Sequence, residues 1–248
     1  MGGNRVSVAR FLAGRHALIP WKSPEDIAIA AEVCQSFILD NSAFSFFQRG
    51  EPVADWSAYY EWVAEWMTHP GFDWALIPDV ITGDEKDNDR LVEEWKEAMP
   101  EHIGVPVWHF HEPIERLVRL AQQWSRVALG SSGKWKTPNV RGWWNRAAVA
   151  MRALHGPEMH GCPFKLHGLR MLNPEVFTRL PLSSADSTSV AQNANLCARF
   201  GQYVPPNREQ RAEVIAARVE SQNSMGVWLD KSPDPCLFEW NTAREQGT

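Results

Sequence analysis

Short apolar runs alternate with amphipathic stretches of about a dozen residues along most of the chain. Ser36 to Leu39 is apolar and ends in Asp40. Trp56 to His69 has helical spacing and stops at Pro70-Gly71. Trp74 to Ile77 is apolar and stops at Pro78-Asp79, and Asp87 to Met99 is helical with its charges on one face. Val105 to Phe110 reads as a strand. Pro113 then opens a helix through Trp124, as proline does at a first helical turn. Arg126 to Leu129 is a strand leading into Gly130-Ser131-Ser132-Gly133. Asn139 to Leu154 is helical, Phe164 to Leu172 a strand, and Asn173-Pro174 the start of a short helix. Leu182 to Ala185 is a strand and Ser187 to Phe200 a helix. Six strands therefore follow from Ser36 onward, and Val6 to Trp21 is expected to supply one or two more.

Strands alternating with helices of this length mean βαβ units and a parallel sheet. The expectation is an α/β protein built on a TIM-like (β/α) barrel, regular or irregular, with a C-terminal helical extension. One domain spans 1–248: a barrel core over about 5–200, then a helix and tail over 201–248. In the last part Pro205-Pro206 is a break, Arg208 to Ser221 is a charged amphipathic helix, and the final residues are expected to pack as a tail on the barrel bottom or side. Neither the glycine fingerprint GxGxxG nor the phosphate loop GxxxxGK[ST] is present, so no nucleotide cofactor is expected.

Composition narrows the class. The 248 residues are 44% hydrophobic and 22% charged, as in ordinary globular proteins. No apolar run approaches the ~18 residues of a membrane helix. The N-terminus shows no signal peptide, so a cytoplasmic protein with no membrane partner is expected. The net charge of -5 excludes a chain coated in positive charge but leaves room for a local basic groove. Cys34, Cys162, Cys197 and Cys236 form no CxxC pair, and no HExxH occurs, so no metal site is expected. Tryptophan is abundant, 13 against 3 tyrosines, and besides filling cores it stacks on nucleobases.

In a parallel barrel the active site lies at the C-terminal ends of the strands. The polar residues there are Asp40, Asp79, His109, His111, Gly130, Ser131, Ser132, Asp186 and Ser187. Three aspartates brought together would supply a nucleophile, a proton-transfer group and a hydrogen-bond acceptor for a ligand. Taken singly, each is also a normal helix cap. His109 and His111 are expected to point to opposite sides, one of them into the pocket, and His167 into the barrel interior. The segment Lys134-Trp135-Lys136, then Arg141, Trp143 and Arg146, mixes basic and aromatic residues just after a strand end, a combination suited to phosphates and exposed bases.

These residues carry a resemblance. Asp40-Asn41-Ser42-Ala43-Phe44 resembles the DSGGF/Y motif of tRNA-guanine transglycosylases, and Asp79 resembles that family's purine-holding aspartate. Leu129-Gly130-Ser131 lies where the family has a Gly-Gly-Leu base-binding loop. Phe164 to Leu169 resembles the strand before the nucleophile, and Ser184-Ala185-Asp186-Ser187 falls at the nucleophilic aspartate. The order holds from about Ser36 to Asn195. The resemblance implies a barrel enzyme that breaks an N-glycosidic bond, with Asp186 as nucleophile, Asp40 as general acid/base and Asp79 as base reader. Phe44, Gly130, Ser131, His109 and His167 are the further base-pocket candidates.

The departures point to a branch of that superfamily. The family's zinc site of three cysteines and a histidine has no counterpart, and the chain is much shorter. The chain is most similar to the short DNA-acting branch, which inserts 7-deazaguanines into DNA. Serine and alanine replace the motif's glycines, and Gly-Ser-Ser replaces Gly-Gly-Leu, which tilts the expected ligand towards an unusual or modified base. The implied function is a DNA glycosylase or transglycosylase. It would excise a base and leave an abasic site, as in defence against phage DNA with modified bases, or exchange it for a 7-deazaguanine. The alternatives are an inactive nucleic-acid-binding barrel and a barrel enzyme acting on a small metabolite. The expected partner is DNA.

Overall fold

A computed structural model describes residues 4–229. Its eight strands are β1 (His16–Pro20), β2 (Ser36–Asp40), β3 (Phe72–Leu76), β4 (Gly104–Val105), β5 (Val107–His109), β6 (Arg126–Gly130), β7 (Lys165–Gly168) and β8 (Ser184–Ala185). Every pairing is parallel, in two sheets ordered β1-β2-β3-β4 and β5-β6-β7-β8. Only Pro106 separates β4 from β5. Proline has no N–H for the ladder, so the run breaks there. Its carbonyl still accepts from the Ala128 N–H at 2.9 Å, and the neighbouring Val105 carbonyl from Ile77 N–H at 3.0 Å. The two sheets thus continue through one bent stave.

Parallel neighbours need crossovers, and helices supply them. They are α1 (Arg5–Leu12), α2 (Ile27–Val33), α3 (Ala43–Arg49), α4 (Ser57–Trp66), α5 (Glu85–Ala98), α6 (Ile114–Gln123), α7 (Arg141–Leu154), α8 (Pro174–Phe177), α9 (Ser189–Asn193) and α10 (Arg208–Glu220). Local chemistry sets their ends. Asp84 and Asp87 form a capping box at the start of α5. Asn4 caps α1 and Asn207 caps α10.

Alternation along the strands divides two apolar groups. Phe37, Leu39, Ala75, Ile77, Trp108, Val127, Leu129 and Leu166 pack outward against the helices. Trp74, Leu76, Val105, Val107 and Ala128 form a smaller inner cluster beside Ile38 and Leu169. A register shift between β2 and β3 turns both Trp74 and Leu76 inward. The two sheets face each other across this lumen: the Trp74 ring of β3 meets the His167 ring of β7 edge-on at 4.9 Å. The architecture is an irregular α/β barrel. Among the described residues no ladder joins β1 to β8. The helix α10 packs outside on α1 and α9, tied by Arg15 to Glu213 and Glu220, and forms the C-terminal extension. No helix among the described residues is long and apolar enough to cross a membrane.

Several expected elements change. Val6 to Trp21 supplies one strand, within the one or two expected, but its first part is a helix, because Asn4 caps that part and Gly14, at φ 71°, ends it. The strand expected through Leu172 stops at Gly168, where Arg170 turns the chain at φ 60°. The helix expected over Ser187 to Phe200 is only α9 and a 3-10 turn, Cys197–Phe200, since serine, threonine and asparagine crowd it. The final tail lies outside the described residues. Gly104 lets the fully buried Trp95 approach β4: a Cβ there would sit 2.4 Å from Trp95 Nε1. Gly104→Ala is expected to cost ~1–3 kcal/mol, read as a lower denaturant midpoint at unchanged m-value.

Candidate functional site

A cavity of about 700 Å3 opens at the C-terminal ends of the strands and runs along the gap between β1 and β8, reaching His16 and Ser36 at the opposite ends. Asp40, Asp79 and Asp186 all line it. Asp40 ends β2 and faces inward. The next residues fix the mouth: Ser42 takes a left-handed backbone, φ 62°, at a position where the resembled motif carries glycine. Asn41 is buried. Its Nδ2 donates to Asp79 Oδ1 at 2.9 Å and to the Ile77 carbonyl at 2.8 Å, while its Oδ1 accepts from Ala43 N–H. Asn41 therefore ties the end of β2 to the loop after β3.

The other oxygen of Asp79 lies 2.8 Å from His109 Nε2, with both side chains buried. With both carboxylate oxygens accepting, the imidazole donates from Nε2 and leaves Nδ1 without a partner. That ring fits because residue 130 is glycine; a Cβ there would lie 2.7 Å from Nδ1. Behind the ring, Glu112 accepts from His109 N–H, from Asn88 Nδ2 and from Arg116 Nη1, each at 2.8 Å. Arg116 also donates to the Val107 carbonyl and to Asp89. This buried network holds the end of β5, and its members were not visible as site residues in the sequence. Glu112 and Arg116 show only ordinary i,i+4 spacing, and the partners that give them meaning come from another helix.

His167 faces inward as expected. Its Nδ1 lies 2.9 Å from Ser184 Oγ, and its Nε2 lies 3.3 Å from Asp186 Oδ1 without hydrogen-bond alignment. Asp186 follows β8. The N–H of Arg170 donates to its Oδ1 at 3.0 Å, and its own backbone bonds to Gly168 and Leu172. Phe44, Gly130 and Ser131 also line the cavity. His111 departs from expectation. It does not point away from His109 but stacks on it, at 5.4 Å and 18°, and its Nε2 contacts the Gly83 carbonyl. β5 ends at His109, and the turn that follows brings His111 back against the ring of His109.

Electrostatics tie the aspartates together. Burial first, then the negative charge of Asp186, push the Asp40 carboxyl up to about 7. The Ser42 backbone N–H pulls it back, and Asp79 adds to the rise. Asp40 is half-buried on the wall of the cavity.

The basic-aromatic segment is split. Lys134, Lys136 and Arg141 are exposed, and Trp135 is half-buried under Lys134. Trp143 is 1% exposed and stacks on Phe110 at 5.1 Å, so it is core and not a surface for a base. The half-buried Arg146 donates to the carbonyls of Phe110 and Glu112 and lies over the Trp108 ring. It ties α7 to the loop after β5 instead of facing a phosphate. Among the described residues no cluster of three histidine, cysteine, aspartate or glutamate side chains could hold a metal ion.

No protein-family profile matches the chain, and no curated protein does. One similar solved structure is a chain of the tryptophan synthase α2β2 complex from Pyrococcus furiosus. It is 15% identical over 88% of this chain and 91% of that one, with a TM-score of 0.44.

The raised Asp40 gives a pH test. Its carboxyl stays protonated longer in the folded chain than in the unfolded one, where it titrates near 3.8. Ionising it therefore costs folding nothing below about pH 4, progressively more as pH rises, and a constant amount above about 7. Asp40→Asn is expected to match the wild type in acid melts at pH 4 and to be more stable by about 1–3 kcal/mol at pH 8. An equal or lower stability at pH 8 would contradict the crowding of charge at the mouth.

Proposed function

We propose that this barrel cleaves the N-glycosidic bond of a base in DNA. The observation that carries the reading is a carboxyl titrating near 7, Asp40, beside Asp186 and Asp79 on one cavity at the strand ends. Glycosyl transfer needs that asymmetry: one group still able to give a proton, another able to meet an electron-poor sugar carbon. Asp186, as carboxylate, attacks the anomeric carbon while the bond to the base breaks. Asp40 protonates the leaving base, then takes a proton from the water or incoming base that attacks the same carbon, and the bond from that carbon to Asp186 breaks to return the carboxylate. Water gives excision and an abasic site; a second base gives exchange.

Asp79 reads the base. Asn41 and His109 hold its two oxygens, so any N–H of a bound base meets a fixed acceptor. The left-handed backbone of Ser42 supports the motif resemblance, because it is the conformation a glycine there would take readily. The cavity's depth supports a base bearing a substituent. Away from the strand ends, Trp74 and His167 line the same cavity, together with His16 and Ser36.

A second reading, catalysis on a small metabolite, gains from the burial of Trp143 and the inward use of Arg146, which leave less of the expected nucleic-acid surface. Two experiments decide. Asp186→Ala should lose 10²–10³-fold or more in base release, about 3–5 kcal/mol of transition-state stabilisation. Asp40→Asn should lose ~10²–10⁴-fold, with a changed pH profile. Both variants should remain folded. Free bases and alkali-labile sites would be followed by mass spectrometry and gel on DNAs that include modified phage DNA. Full base release by both variants would remove the assignment. Separately, replacing Lys134, Lys136 and Arg141 together with alanine should weaken DNA binding at all sequences and flatten its salt dependence. An unchanged slope would mean that the phosphates run elsewhere.

A further inference from the structure

The rim of the cavity also holds a cation that the sequence motifs did not single out. Arg170 follows β7 with φ 60°, a backbone conformation that glycine or asparagine adopts more readily than arginine. Its N–H donates to Asp186 Oδ1 at 3.0 Å. A glycine could hold that turn and make the same bond, so the backbone does not account for the side chain. The arginine is exposed, with its guanidinium 4.4 Å from the centroid of the Phe44 ring. Among the described residues no carboxylate forms an ion pair with it. Phe47 lies one helical turn on, 47% exposed, with its ring 6.5 Å from that of Phe44. Arg170, Phe44 and Phe47 form a cationic and aromatic step along one edge of the cavity.

The charge of the mouth gives this step its meaning. Asp40, Asp79 and Asp186 present negative charge to whatever enters, and a phosphodiester brings more. A nucleotide can present its sugar to Asp186 only if a cation close by meets its phosphate. Arg170 touches Asp186 through its backbone, and its side chain lies on Phe44, which lines the same cavity. A guanidinium also pairs with phosphate oxygens through parallel N–H groups, and the ring beneath restricts its orientation.

We infer that Arg170, seated on Phe44, binds the phosphate next to the nucleotide whose base enters the cavity, and that Phe47 packs against the adjoining DNA. This rests on the reading of the chain as a DNA-acting enzyme. It moves the main DNA contact from the Lys134–Arg141 side of the mouth to the α3 and β7–α8 side. Exposed aromatic wedges beside an extruded nucleotide fill the space it leaves in the stack.

The test is fluorescence anisotropy of labelled single- and double-stranded oligonucleotides at several salt concentrations, with the full chain. Arg170→Gly keeps the N–H to Asp186 and relaxes the left-handed backbone. It should bind roughly tenfold more weakly, with a salt slope shallower by about 0.7–0.9, and melt at the same temperature or higher. Arg170→Lys should keep the slope and lose part of the affinity, because lysine cannot lie flat on the ring as a fork. Phe47→Ala should weaken binding without changing the slope. An Arg170→Gly variant with wild-type affinity and slope would overturn the inference. So would one with unchanged slope and a lowered melting temperature, which would mark a structural residue. If the wild type binds DNA and only the Lys134, Lys136 and Arg141 variant changes the slope, this rim is wrong and the proposed function stands. If the wild type binds no oligonucleotide, both fall.

Discussion

Three carboxylates share the mouth of this barrel, and the surrounding structure is organised to keep them there against their repulsion. Each has its own donors. Asp79 is held by Asn41 and His109, Asp186 by the Arg170 N–H, and Asp40 by a weaker backbone contact from Ser42. Asp40 has the least compensation, and it is the one whose proton is retained to near neutrality. The unequal supply of hydrogen-bond donors sets Asp40 apart from its two neighbours. The arrangement needs rigid supports, and the buried Glu112–Arg116 pair provides one by clamping the end of β5 beneath His109.

The barrel's irregularity and its cavity have a common origin. A closed eight-stranded barrel fills its interior with layers of branched side chains. Here Pro106 bends one stave and no ladder joins the first strand to the last among the described residues. The inner apolar cluster lies on the β3 to β6 side, while the β1 and β8 side stays open and lined by polar residues such as His16, Ser36 and Ser184. Incomplete closure leaves a cavity that extends well below the mouth.

The two rims differ in how their cations are used. On the α7 side, Arg146 is spent on backbone carbonyls and Trp143 on the core, so the segment's composition overstates its surface. On the α3 side, Arg170 stacks on one aromatic ring beside another that is exposed. A side chain's type is written in the sequence. Whether its charge is already engaged depends on what the fold places within about 3 Å of it.

Much of this protein was legible in its sequence. Strand–helix alternation specified a parallel α/β barrel, because apolar periodicity follows directly from which face is buried. Rules for the ends of barrel strands located Asp40, Asp79, Gly130 and Asp186, and inward alternation located His167. Short polar-rich segments were misjudged, such as the helix expected across Asn193 and Asn195, since their conformation follows from tertiary contacts more than from periodicity. The stacking of His109 on His111, the buried Asn88–Glu112–Arg116 network and the burial of Trp143 were decided only by tertiary structure. So was the place of Arg170, one residue past the stretch that resembles the strand before the nucleophile and outside every motif. Sequence order carries the period of each element and the type of each side chain. Hydrogen-bond satisfaction and charge engagement are set by atoms distant along the chain, and only the folded arrangement determines which of them meet.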